Sequence, residues 1–316
     1  MYVLSLMHAG ETFDAVLNLL RSGLLDQFSS DEWSASSFGD TSQKEGMEKA
    51  LSLGLITRNG ERIRLTSAGT LLTKNHPQSL RDHFLFVGEV FRPCYALDQE
   101  CLAAGGNNFQ RCYGSTFFEW LSRHPVEKKF FHSAMCATQG PVEEFLANDF
   151  PFADYSWIVD VGGGSGGLAS AIKKKYCEIR ITVADTDPGI PRSTDDQKRN
   201  IEFQVADFFD RVPTGADLYM AKLVIHDWPD DEAERILGTI RDSMSESSTL
   251  LLIESPLPPL GRPDAACLWD YHQMVAFGGK ERSIDAFQAL ARRAGLWLSA
   301  TRPTIPPFHF LEMRRL

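Results

Sequence analysis

The apolar positions Phe13, Val16, Leu17, Leu20, Leu24 and Leu25 recur at three- and four-residue intervals, predicting an amphipathic helix from Glu11 to about Asp31. From Met47 onward, MEKALSLGLITRNGERIRLTSAG reads as a helix, a strand that ends in the turn pair Asn59-Gly60, and a return strand from Arg62 to Thr66. Gly105, Gly106, Asn107 and Asn108 mark a loop. The stretch from Thr116 to Asn148 is again helical and rich in aromatics (Phe117, Phe118, Trp120, Phe130, Phe131), a stripe that most simply serves as core.

After Pro151 the pattern changes. The apolar runs WIVDV, ITVAD, IEFQV, DLYMAKLVI and TLLLIE are separated by helical stretches at regular intervals. Near-continuous apolar strands alternating with helices predict a parallel, doubly wound α/β sheet covered on both faces. The expected organisation is therefore a mainly helical, winged-helix-like domain over residues 1–150 and a Rossmann-like domain over residues 151–316.

Charge narrows the partners. A winged helix that binds DNA needs a cationic face, yet the segment from Asp31 to Leu55 has only Lys44 and Lys49 against more numerous acids. The whole chain of 316 residues carries a formal charge of −10, a field that repels phosphate backbones and anionic membranes. Nucleic acid and membrane are not expected partners, and the first domain is read as a dimerising or structural module. The six cysteines (Cys94, Cys101, Cys112, Cys136, Cys177, Cys267) include no CxxC pair, which disfavours zinc and a disulfide framework. The N-terminal run MYVLSLMHAGETF lacks the basic flank of a signal peptide, so a cytoplasmic location is expected.

Candidate chemistry starts where the first sheet strand runs into Asp160-Val161-Gly162-Gly163-Gly164-Ser165-Gly166. Glycines permit a sharp turn and close approach to a ligand. Asp185 ends the next strand, where a carboxylate accepts hydrogen bonds from ribose hydroxyls. A dinucleotide loop would present a helix N-terminus to pyrophosphate, which tolerates no nearby acid. An acid on the rim, Asp160, instead suits a ligand with an ammonium and a sulfonium, as in S-adenosylmethionine. Asp207, followed by Phe208 and Phe209, ends the third strand and is placed to meet an adenine ring; taken alone, Asp207 also fits a simple helix cap.

VDVGGGSG, ADFF, AKLVIHDWPDDEA, LLLIES and GGKERS together resemble the small-molecule O-methyltransferases of the caffeic acid and hydroxyindole type, including bacterial natural-product tailoring members. The resemblance implies a class I methyltransferase fold, S-adenosylmethionine as cofactor, a small aromatic or polyketide-like acceptor, and a homodimer. It also implies that His226 is the general base, that Glu254 and Glu281 orient it and the acceptor, that Lys222 contacts the cofactor, and that Trp228 stabilises the turn. The chemistry agrees: a phenol with a pKa near ~10 needs a base at neutral pH to attack a methyl sulfonium. Substrate-lining positions are expected at Phe131, Met135, Asp227, Trp269 and His272, with Phe84 and Phe277 completing an apolar slot. The family's long N-terminal helices are nearly absent, which weakens the expectation of an interlocked dimer.

Two alternatives stay open at this point. His226, Asp227 and His272 are two histidines and a carboxylate, a set that suits non-haem iron and carbon methylation of an α-keto acid. A member that has lost methyl transfer is the other, since fold does not fix function.

Overall fold

The computed structural model describes residues 8–28, 33–34, 41–96, 107–186, 201–259 and 265–316. The expected Gly105-Gly106 loop lies outside them, whereas Asn107 caps the helix that follows by accepting from the Gln110 amide (3.2 Å). Two compact units form, residues 1–93 with 121–138, and residues 94–120 with 139–316.

In the first unit, helix α1 (Ala9–Ser22) buries Val16, Leu17, Leu19 and Leu20. The apolar pattern continues to Leu25, but the helix does not: Gly23 adopts a left-handed φ of 67° and terminates it, and Leu24 and Leu25 pack from a short 3-10 turn. Helix α2 (Thr41–Ser52) leads into the hairpin β2 (Ile56–Asn59) and β3 (Arg62–Leu65), with β1 (Trp33–Ser34) antiparallel to β3. Helix plus hairpin thus matches the sequence reading. Their inner residues, among them Leu20, Ala50, Ile56 and Ile63, make one apolar core.

The aromatic-rich stretch divides at His124 into a short helix (Phe117–Arg123) and α3 (Pro125–Asp149). Beyond it lies a seven-stranded sheet in the order β6-β5-β4-β7-β8-β10-β9. Strands β4 (Trp157–Val161), β5 (Arg180–Asp185), β6 (Ile201–Val205), β7 (Leu218–Lys222) and β8 (Thr249–Glu254) pair in parallel. They are connected in part by α4 (Gly167–Lys175) and α5 (Asp230–Ser243). Every residue of β8 is buried, as its unbroken apolar run requires. The edge departs from an all-parallel sheet. After α6 (Ala265–Ala276) and α7 (Ile284–Arg293), β9 (Leu296–Pro303) turns directly into β10 (His309–Arg315), which inserts antiparallel between β9 and β8. No crossover helix separates those two strands, so they must run antiparallel.

Apolar clusters cover both sheet faces, one with Ile236, Leu237, Ile240, Phe287 and Leu290, the other with Leu146, Leu168 and Ile172. Strand order reverses at β4, with β5 on one side and β7 on the other. In open α/β sheets the crevice at that reversal, beyond the carboxyl ends of the strands, is where ligands bind. No helix among the described residues is long and apolar enough to cross a membrane.

Candidate active site

The carboxyl end of β4 turns through Gly162, Gly164 and Gly166, whose φ values of 69°, 55° and 75° are all left-handed. Two of its positions, Gly162 and Gly163, are also packed too tightly for side chains. A Cβ on Gly162 would come within 2.8 Å of Val224, and one on Gly163 within 2.5 Å of the Asp160 carboxyl carbon. Asp160 is therefore beneath the turn, 2% exposed, and not on an open rim as the sequence suggested. Its Oδ2 is buried with no hydrogen-bond partner among the described residues. Burial, with Glu143 and Asp185 nearby, raises its carboxyl to about 7 despite Lys222.

Asp185 closes β5 and accepts from the Gly164 amide at 2.9 Å, which ties the second strand to the turn. Asp207 is exposed and accepts from the Phe209 amide at 2.8 Å, the cap geometry open to a strand-end Asp. Phe208 packs beside the turn, its ring edge 3.7 Å from the Cβ position of Gly162, and it meets Trp228 edge-on. Lys222, the last residue of β7, pairs with Glu143 at 3.3 Å and donates to Gln139 at 3.2 Å.

One residue further on, Leu223 takes a left-handed φ of 53°, rare for a side chain of that size. The kink leads into the short turn Ile225–Asp227. His226 is 5% exposed, and its Nδ1 lies 2.7 Å from Glu281 Oε1 and 3.9 Å from Glu254 Oε2. Its Nε2 lies 3.4 Å from Asp227 Oδ1. The other Glu254 oxygen accepts the Ile225 amide at 2.9 Å and fixes the turn to the end of β8. Burial is the leading cause of the raised carboxyls here: Asp227 and Glu254 to about 7, Glu281 to about 8 with help from Asp270.

The motif reading assigned no role to several residues in this arrangement. The Gln273 amide lies 3.2 Å from Nδ1 and 3.1 Å from Nε2 of His226. Asp270, one turn earlier on α6, accepts the Glu281 amide at 2.9 Å. Arg282 is 2% exposed and donates to the carbonyls of Ile225 (3.0 Å) and Trp228 (2.7 Å) and to Asp230 (2.9 Å), so it clamps the turn from both ends. Gly279 is the other half of that clamp, since a Cβ there would strike the backbone of His226 and Asp227. The i, i+3 spacing of Asp270 and Gln273, and the position of Arg282 beside Glu281, were the available signals.

His272 stands apart from the base. Its Nδ1 meets the Tyr95 hydroxyl at 2.5 Å, and its ring packs edge-on against Phe277. Among the described residues, the cluster of potential metal-binding side chains is His226, Glu254 and Glu281, without His272. The two-histidine iron reading is thus not favoured. Trp269 packs on Phe308, and Phe277 packs on Phe117 and Phe118, all within the sheet-bearing unit. Phe84, Phe131 and Met135 belong to the other unit, where Phe84 stacks on Phe13 and Phe131 tilts against Phe86.

A family model for the O-methyltransferase domain matches residues 95–297. This chain belongs to the O-methyltransferase family. It is 31% identical over 282 residues to the O-demethylpuromycin-O-methyltransferase of Streptomyces alboniger, spanning 82% of this chain and 73% of that one. Its fold superposes on the crystal structure of LaPhzM with a TM-score of 0.90 over 100% of this chain and 98% of the other, at 24% identity. An O-methyltransferase from neocarzinostatin biosynthesis, solved with S-adenosylmethionine and 2-hydroxy-5-methyl naphthoic acid, is 27% identical with a TM-score of 0.79, covering 96% of both chains. The protein is accordingly an S-adenosylmethionine-dependent O-methyltransferase, the family and activity anticipated from its motifs.

Proposed function

We propose that this O-methyltransferase acts on a hydroxyl of a small aromatic or polyketide-like acceptor, with His226 as the general base. The observation that carries the reading is the 2.7 Å contact between His226 Nδ1 and Glu281, beside a second buried carboxylate on Glu254. With Nδ1–H donated to ionised Glu281, Nε2 holds the lone pair that takes the acceptor's proton. Glu254 holds the turn through the Ile225 amide, and Asp227 and Gln273 border Nε2.

The glycine turn fits the donor: its tight backbone admits close approach, and the orphaned Asp160 oxygen calls for a cationic neighbour. Gly162, Gly164 and Gly166 would hold the methionyl part, Asp185 the ribose, Asp207 and Phe208 the adenine, and Lys222 the same crevice from β7. When bound, S-adenosylmethionine supplies an electrophilic methyl group. The chain's own contribution is to orient both reactants for an in-line displacement and to remove one proton.

Trp269 and His272 line the acceptor side of this reading, with Phe131 and Met135 supplied by the N-terminal region over residues 1–150. That region is assigned as acceptor lid and homodimerisation module, and light scattering checks the dimer. A cytoplasmic setting belongs to the same reading, in keeping with cysteines that include no CxxC pair.

The test is a panel of phenols, naphthols and enols with methyl-labelled donor. The expected product is a labelled methoxy group, and the activity lost in His226→Ala should be smallest for acceptors already ionised at the assay pH. Label on carbon, or equal loss for acidic and weakly acidic acceptors, would overturn the reading.

A further inference from the structure

Gln273 is 5% exposed and reaches the His226 ring from α6. Its amide nitrogen stands 3.2 Å from Nδ1 and 3.1 Å from Nε2 of the imidazole. The two ring nitrogens flank a single carbon, Cε1, so an atom this close to both would collide with ring carbons if it lay in the ring plane. The amide nitrogen therefore lies over the face of the imidazole. There it meets neither in-plane lone pair head-on, and Nε2 keeps its own lone pair for the acceptor.

The direction of the amide is fixed by Asp227. The nitrogen end donates to the Asp227 carboxyl, and a reversed amide would set its carbonyl oxygen against that group instead. The oxygen end, Oε1, is buried with no hydrogen-bond partner among the described residues. An unpaired buried carbonyl is unfavourable, so the contacts of the nitrogen are what hold the side chain in this place.

Glu281 holds the ring at one atom only, Nδ1, at 2.7 Å. A single hydrogen bond fixes a point and leaves the ring able to tilt about it, and tilting swings the Nε2 lone pair away from the acceptor oxygen. A group laid on the ring face opposes that tilt. Asp270, three residues before Gln273 and so on the same side of α6, accepts the Glu281 amide at 2.9 Å. One helix thereby locates both the segment that carries the orienting carboxylate and the plane of the base.

We propose that Gln273 is a positioning residue for proton transfer: by lying on the face of His226 it holds the imidazole plane, and with it the direction of the Nε2 lone pair. The proposal rests on His226 being the general base and adds to that reading what keeps the base aimed.

A double-mutant cycle decides it, run in single-turnover and steady-state methylation of whichever phenol of the acceptor panel is turned over. Gln273→Met keeps the length of the side chain and removes the amide. Its kcat should fall about tenfold, as a small misalignment would cause, with acceptor KM and calorimetric affinity for S-adenosylmethionine within about twofold of wild type. In the His226→Ala background the same substitution should change the rate by less than about twofold, because a residue that acts through the ring has nothing left to aim. A role in folding or in acceptor binding would persist there. Equal losses in both backgrounds therefore overturn the proposal, as does wild-type kcat in Gln273→Met. Gln273→Asn keeps the amide but falls one methylene short of the ring; it should reproduce the loss, and it decides alone if Gln273→Met does not fold. Wild-type turnover in His226→Ala would remove the base itself and the role of Gln273 with it. A slow His226→Ala beside an undiminished Gln273→Met would remove only the role of Gln273.

Discussion

The two ends of the crevice use carboxylates for opposite purposes. At the ends of β4 and β5, buried Asp160 and half-buried Asp185 serve a backbone: Asp160 packs against Gly163, and Asp185 accepts the Gly164 amide. At β7 and β8 the acids Glu254 and Glu281 serve a side chain, holding the His226 turn and its ring. The first end is shaped by a glycine turn, and the second is built of interlocking side chains, with Arg282 and Gly279 fastening the turn from outside. Binding and proton transfer should therefore be separable by mutation even though both use the edge of one sheet.

The sharpest attempt to break that separation is His226→Ala. Turnover should drop by about 10²- to 10⁴-fold while calorimetric affinity for the donor stays the same. Parallel loss of donor affinity would mean the pockets are one unit. The converse variant, Asp185→Ala, should weaken donor binding by about 1 to 3 kcal/mol, the cost of unpaired polar groups, with turnover at saturating donor little altered.

Arg282→Lys probes the fastening. Lysine lacks the planar fork that spans Ile225, Trp228 and Asp230, so the His226 turn should loosen and turnover fall about tenfold, again with donor affinity preserved. A change confined to donor affinity would assign Arg282 to the wrong pocket.

The smallest effect is on stability against pH. Glu254 and Glu281 ordinarily titrate near 4.5 but are raised to about 7 and about 8 in the fold. Between those values the folded chain holds protons that the unfolded chain has released, so stability declines as pH rises from 4.5 to about 8. Thermal melts should show the decline, and Glu254→Gln should flatten it. The proposed general-base role of His226 needs Glu281 ionised, so turnover should climb through the same interval as stability falls.

What the sequence conveyed well was local chemistry. Glycines that demand left-handed φ, a strand-end Asp185, and the His226, Glu254 and Glu281 motifs all declare themselves within a few residues, and the apolar runs announce the sheet. The helix at Phe13 was legible, but its end was not, because the stop comes from one glycine, Gly23, while the apolar pattern runs on. The antiparallel β10 went unread since its partner β8 lies far back in the chain. Asp160 was assigned to a rim because its spacing reveals nearness to the turn and not the side from which it approaches. Glu143, Gln273 and Arg282 were hidden for a related reason: each acts on a partner many residues away, through packing that local patterns do not encode.

The left-handed Leu223 ties these observations into a question of measure. Only Leu223, Val224 and Ile225 separate Lys222 at the donor end from His226 at the acceptor end. A residue held at φ 53° costs about 1 to 3 kcal/mol, and the surrounding sheet must maintain it. In the proposed mechanism the segment is a short gauge that sets the distance between the methyl source and the proton sink. Side chains around it can be exchanged and the acceptor changed, but adding or deleting one residue in this gauge would put the two reactants out of step.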